Sequence, residues 1–216
     1  MASPVKVFGV GMSKTGTTTL GECLEILGFT PHISFEPQLK TWLESGGDIE
    51  RILKVAEKYR ALEDSPWYHV FEQLDQRFPG SKFVLTVRKN SLVHAKSSWA
   101  HGVRGGLRTG DPAPEYIAEK IAVYESHNQR VMDYFKDRPQ DLLVMCWENG
   151  DGWEKLCSFL NVSVPSQPIP HANQGRYKAR FPKLIANSKP YTAVVRALHS
   201  VIRSPMATRL KRALSV

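Results

Sequence analysis

The sequence predicts a three-layer α/β/α domain with a mainly parallel central sheet. Three observations predict it: short, continuous apolar runs suited to strands covered on both faces, apolar residues at helical spacing between those runs, and a length of 216 residues that suits one domain. The apolar runs are evenly spread and nothing in the composition divides them, so 1–216 reads as a single unit. Ligands of such a sheet bind beyond the carboxyl ends of its strands.

Val5 to Val10 form the first expected strand. Glycines 9, 11 and 16 then space a turn that carries Ser13, Lys14 and Thr15, and Thr17-Thr18 open a helix with Leu20, Cys23, Leu24 and Leu27 on one face, ended by Gly28. Ile49, Ile52, Leu53, Ala56 and Tyr59 repeat the helical rhythm before a strand at Ala61-Leu62. Val70, Phe71, Leu74 and Phe78 make a third helix, which Pro79-Gly80 stops, and Lys82 to Val87 make the next strand. A serine-rich helix follows. Residues 102–114, GVRGGLRTGDPAP, carry four glycines and two prolines with Arg104 and Arg108, and read as a mobile loop able to close over an anion. Leu142 to Trp147 form the last strand. A proline-rich basic stretch over 163–190 then leads to a terminal helix from about Tyr191.

Lys plus Arg number 29 against 21 Asp plus Glu, a net +8, which favours anionic partners. Cys23, Cys146 and Cys157 are widely separated and lie in apolar patterns, so they suit a reduced core better than a metal site or a disulfide framework. The start MASPVKVFGVGMSK has no apolar leader segment, and no stretch approaches a membrane span, which makes a soluble cytoplasmic setting the expectation. The terminal helix with Arg196, Arg203, Arg209, Lys211 and Arg212 reads as a packed surface helix rather than a membrane contact.

The glycine-spaced turn is an anion cradle of the P-loop-like kind: close backbone, free N–H groups at the helix start near Thr17 and Thr18, and a full charge from Lys14. A nucleotide kinase would carry its lysine directly after the last glycine, whereas Lys14 precedes Gly16. A dinucleotide fold would need glycine where Lys14 stands. A non-catalytic basic nucleotide- or RNA-binding module would fit the charge, but no interleaved aromatic and basic motif supports it and no nucleic acid is expected.

The string Lys14-Thr15-Gly16-Thr17-Thr18 between first strand and first helix resembles the 5′-phosphosulfate loop of sulfotransferases that use 3′-phosphoadenosine 5′-phosphosulfate (PAPS). Phe83-Val-Leu-Thr-Val-Arg88 with the serines beyond it resembles the same family's 3′-phosphate element, and the stretch from Gly152 to Asn173 resembles the carboxyl-terminal part of a compact branch. The resemblance spans roughly residues 5 to 175 in the family's order. It implies sulfuryl transfer from PAPS to a hydroxyl or amine of a small-molecule acceptor, with 3′,5′-adenosine bisphosphate (PAP) as product and no metal required. It implies that Ser13, Lys14, Thr15, Gly16, Thr17 and Thr18 hold the 5′ end. Arg88 and Ser97 would hold the 3′-phosphate, with Arg176 reaching it from the tail.

Transfer needs a group that takes the acceptor's proton. Ala61-Leu62-Glu63-Asp64-Ser65-Pro66 puts two carboxylates at a strand end; the compact branch has its aspartate two residues before a proline, which makes Asp64 the base and Glu63 its nearest rival. Two departures stand out. Thr19 replaces the tryptophan that stacks on adenine in cytosolic relatives, leaving Trp147 or Tyr177 as substitutes, and Leu62 replaces a lysine near the base. His69, His94 and His101 lie in helical patterns and receive no role.

Overall fold

The computed structural model describes residues 5–170. Five strands, β1 (Val7–Gly9), β2 (His32–Ile33), β3 (Ala61–Glu63), β4 (Lys82–Thr86) and β5 (Leu142–Met145), form one sheet in the order β2-β3-β1-β4-β5. Every pairing is parallel, with Gly9 opposite Glu63 on one side and Val84 on the other.

Side chains alternate between two cores. Phe8, Leu62, Phe83 and Leu85 face α3 (Ile49–Ala56), α4 (Phe71–Arg77) and α6 (Pro114–Phe135), through Ile52, Phe71, Leu74, Val131 and Phe135. Val7, Ala61, Val84 and Met145 face α1 (Thr17–Ile26) and α7 (Trp153–Leu160), through Leu20, Leu24, Trp153 and Leu156. These are the three layers expected, with the sheet covered on both faces as an all-parallel sheet requires. The cysteines are reduced and buried.

The chain leaves β1 toward the α1 layer, but leaves β3 and β4 toward the opposite one. The carboxyl end of β1 is therefore a switch point with a crevice on either side, where doubly wound sheets bind ligands.

Three elements go beyond those the periodicity announces. β2 has only two residues on the sheet edge, and α2 (Pro37–Glu44) has Leu39 as its one buried residue, so neither leaves a patterned run. What starts α2 is local: Pro37 at its first position and a Glu36 carboxylate that accepts the Gln38 N–H at 3.3 Å. α6, the longest helix described, buries only Tyr124, Val131 and Phe135.

The loop expected over 102–114 is shorter. α5 (Ser91–Arg104) continues through Gly102 and α6 begins at Pro114. Gly102 lies within the helix, and its missing side chain leaves room for Arg108: a Cβ there would stand 2.9 Å from the guanidinium. Arg108 donates to Ser98 O at 3.3 Å and to the Tyr116 hydroxyl at 2.7 Å, which ties the loop back to both helices. The expected terminal helix and most of the basic stretch lie outside the described residues. The part of that stretch within them is pinned by Trp153 Nε1, which donates to Gln167 O at 2.7 Å.

Candidate active site

The turn after β1 packs so closely on β4 that a Cβ on Gly11 would fall 2.4 Å from Thr86 O. Gly16 precedes α1 at φ +96°, and Trp147, in the single 3-10 turn after β5, fills the space where its side chain would be. Both glycines are thus required by geometry. Between them Lys14 takes φ +77°, a left-handed conformation that few residues with a Cβ adopt.

Across the crevice Asp64 also takes a left-handed φ, +71°, just beyond β3. Its carboxylate accepts from the hydroxyl of Ser13, from Thr17 Oγ1 at 3.0 Å and from the Ser65 N–H at 2.7 Å. The carboxylate therefore ties both ends of the anion turn to the β3 edge. Thr15 does different work from the other turn residues: its N–H and hydroxyl both reach Met12 O, and its Oγ1 lies 2.6 Å from Thr86 Oγ1. The Thr15 side chain thus braces the turn on β4 rather than facing the crevice. Thr18 lies exposed on the first turn of α1.

The two acidic candidates separate cleanly. Glu63 is fully buried beneath α1, where a Cβ on Gly21 would meet its Oε1 at 3.2 Å, and its Oε1 lies 3.6 Å from His32 Nε2. Burial pushes the Glu63 carboxyl upward. For His32 burial acts downward, but Glu63 and Glu25, the latter 2.8 Å from Nδ1, outweigh it and raise the imidazole. Glu63 belongs to the α1 layer, and Asp64 alone of the pair contacts the anion turn.

Lys14 is mostly withdrawn from water. Burial lowers its proton affinity, Arg104 lowers it further, and Asp64 and Glu63 act against both. Its Nζ donates to His101 Nδ1 at 3.3 Å. Burial, with Lys14 and Arg104 beside it, pushes the His101 imidazole down to about 4, so it stands neutral at pH 7 and accepts from the ammonium. One turn pair back on α5, His94 Nε2 donates to Ser13 O at 3.1 Å and its ring stacks on Tyr124 at 4.2 Å. Two of the three histidines that the sequence left without a role, His94 and His101, are thus the α5 contacts of the turn. Their seven-residue spacing, with Ser97 between, was the signal, since it puts all three on one helix stripe.

Arg88, two residues past β4, pairs with Glu148 Oε1 at 2.8 Å, while Glu148 Oε2 accepts the Lys89 N–H at 2.9 Å. The Arg88 N–H donates to the Tyr124 hydroxyl at 2.8 Å. Through Tyr124 and His94 the Arg88 segment and the anion turn share one set of supports. Glu148 adjoins Trp147, whose Nε1 is buried without a hydrogen-bond partner among the described residues. Nothing in the sequence singled out Glu148. Arg176 and Tyr177 lie outside the described residues.

The arrangement is a cation-lined crevice with an anion turn at one strand end, an arginine at the next, and a carboxylate facing the turn. The sequence profile of the family described as "Sulfotransferase domain" matches residues 6–100 and 93–177. The chain belongs to this family. The two matched stretches take in every strand and every site residue discussed. This sulfotransferase-family chain is also similar to a protein of Aspergillus versicolor called Ava biosynthesis cluster protein M, with 25% identity over 77% of this chain and 80% of that one. Among the described residues no helix is long and apolar enough to cross a membrane.

Proposed function

We propose that the protein transfers a sulfuryl group from PAPS to a hydroxyl or amine of a small-molecule acceptor. The observation that carries this reading is the pairing of two anion elements on neighbouring strands, the turn after β1 and Arg88 after β4, with Asp64 hydrogen-bonded to the first of them. PAPS is a two-ended anion of that kind. A sulfotransferase family membership and a relative named for a biosynthesis cluster accord with it.

In this reading the amides at the start of α1 and the hydroxyls of Thr17 and Thr18 hold the 5′-phosphate, with Lys14 on the oxygen that bridges phosphorus and sulfur. Ser13 and Gly16 shape that cradle. Arg88 and Ser97 hold the 3′-phosphate, joined by Arg176, and Trp147 walls the adenine side. Asp64 takes the acceptor's proton as its oxygen or nitrogen bonds to sulfur; the bridging S–O bond breaks, and its electron pair leaves on the phosphate of PAP. Charge grows on that phosphate in the transition state, so Lys14 and the amides act where electrostatic stabilisation is strongest.

The test is calorimetric titration of the full chain with PAP and with 5′-AMP. PAP should bind and 5′-AMP, which lacks the 3′-phosphate, should bind at least tenfold more weakly, with Arg88→Ala erasing the difference. Equal affinity for the two nucleotides, or binding of neither, overturns the reading.

A further inference from the structure

We infer that Arg104, at the carboxyl end of α5, contacts the sulfonate oxygens of the donor, and so is a catalytic residue alongside Lys14 and Asp64. The inference rests on the donor proposed above. It starts from position: His94, Ser97, His101 and Arg104 follow one another at helical spacings of three and four along a single stripe of α5. The first of them touches Ser13 O and the third touches Lys14 Nζ, so the stripe faces the anion turn along its length, and Arg104 is its next member.

Charge argues in the same direction. The guanidinium is near enough for its charge to act on both Lys14 and His101. Two cations therefore stand around a neutral imidazole, a placement that repels itself until an anion arrives. Elsewhere among the described residues Arg77, Arg88, Arg130 and Arg138 each pair with a carboxylate, while Arg51, Arg60 and Arg108 lie over aromatic rings. Arg104 pairs with no carboxylate there and stands exposed. Asp64, the acid across the crevice, is occupied by Ser13, Thr17 and Ser65.

The sulfur end of the donor, rather than its 5′-phosphate, fits this position. The phosphate lies at the start of α1, beside Thr17. His101 also feels the charge of Asp64, so this end of α5 is within electrostatic reach of the carboxylate that would receive the acceptor's proton, beside which the atom under attack would lie. A planar guanidinium can hold two sulfonate oxygens at once, a match that the single ammonium of lysine lacks. The bland role for Arg104 is a charge at a helix carboxyl end, favourable to the macrodipole and indifferent to ligand.

The two roles part in binding. PAP and PAPS differ only by the sulfonate, so calorimetry without acceptor, on the full chain and on Arg104→Ala, Arg104→Gln and Arg104→Lys, isolates that contact. Arg104→Ala and Arg104→Gln should weaken PAPS at least fivefold and leave PAP within twofold, with Arg104→Lys between. Melting temperatures identify any variant that fails to fold, and the remaining substitutions still decide. Equal weakening of both nucleotides, or unchanged affinity for both, overturns the assignment of Arg104. If the unaltered protein binds neither nucleotide, the donor reading itself falls and the assignment with it. If it binds both and only the variants disappoint, that reading survives.

Discussion

Asp64 and Lys14 face each other across the crevice, both in left-handed backbone conformations that cost on the order of 1–3 kcal/mol each and persist only where the surroundings enforce them. At Asp64 the enforcement is visible: three donors converge on one carboxylate. Asparagine tolerates the same backbone and keeps one acceptor oxygen, but it takes no proton. Asp64→Asn is therefore expected to fold and bind PAP as before while turnover drops by roughly 10²–10⁴-fold, the span of a lost general base. A turnover within a few-fold of the parent, measured beside an unchanged melting temperature, would remove Asp64 from its role. At this scale the sequence was informative where a residue type sat at a strand end: Lys14, Asp64 and Arg88 were all legible there. It was silent on Glu148, and on His94 and His101, because a partner reached through folding leaves no local mark. Glu63 and Asp64 were indistinguishable as neighbours in sequence, and only the burial of Glu63 beneath α1 divides them.

The turn between β1 and α1 depends on an element far along the chain. Trp147, after β5, occupies the volume that a side chain on Gly16 would need, with its Cδ1 2.5 Å from the Cβ position. Gly16→Ala meets two obstacles together, the left-handed φ, worth about 1–2 kcal/mol, and the indole. The expected outcome is a lower urea midpoint, a shifted tryptophan emission and PAP binding weakened at least tenfold. An unchanged midpoint together with unchanged PAP affinity would show that the contact is idle. The long runs of β1, β4 and β5 were readable because a strand covered on both faces has to be apolar throughout. β2 and α2 were not, since a two-residue edge strand and a helix with one buried side chain carry almost no pattern. The 102–114 segment misled through its glycines: Gly102 serves the packing of Arg108 inside a helix rather than a turn.

For the whole molecule, histidines set the response to acid. Burial lowers the proton affinity of His69, His94, His101 and His127 in the folded chain, to about 4 for His101. Below about pH 6.5, the ordinary histidine value, the unfolded chain takes up protons that the folded one refuses, so stability falls as pH drops from there toward 4. His32 has the opposite sign: raised by Glu63 and Glu25, it contributes stability below pH 6.5 that fades as pH rises through its folded value. Glu63, raised by burial, acts in the same direction as His32, so among the described residues four groups stand against two and the balance is a net loss on acidification. The urea midpoint should therefore decline between pH 7 and pH 5.5, and His101→Gln should flatten part of that decline. A midpoint that holds level or rises toward pH 5.5 would contradict the balance. The global arrangement was the most legible level of all, because alternating apolar runs and helical stripes admit few topologies besides a parallel sheet between two helical layers.

The hydrogen bonds that bind Asp64 to Ser13 and Thr17 have a kinetic meaning if the proposed chemistry holds. A carboxylate engaged by two hydroxyls of the phosphate turn has little left for an incoming acceptor. Once phosphate oxygens draw Thr17 toward themselves, that carboxylate regains a free lone pair. Deprotonating capacity would then be absent from the nucleotide-free protein and released by the donor, which makes the order of arrival a property of the fold: nucleotide first, acceptor second.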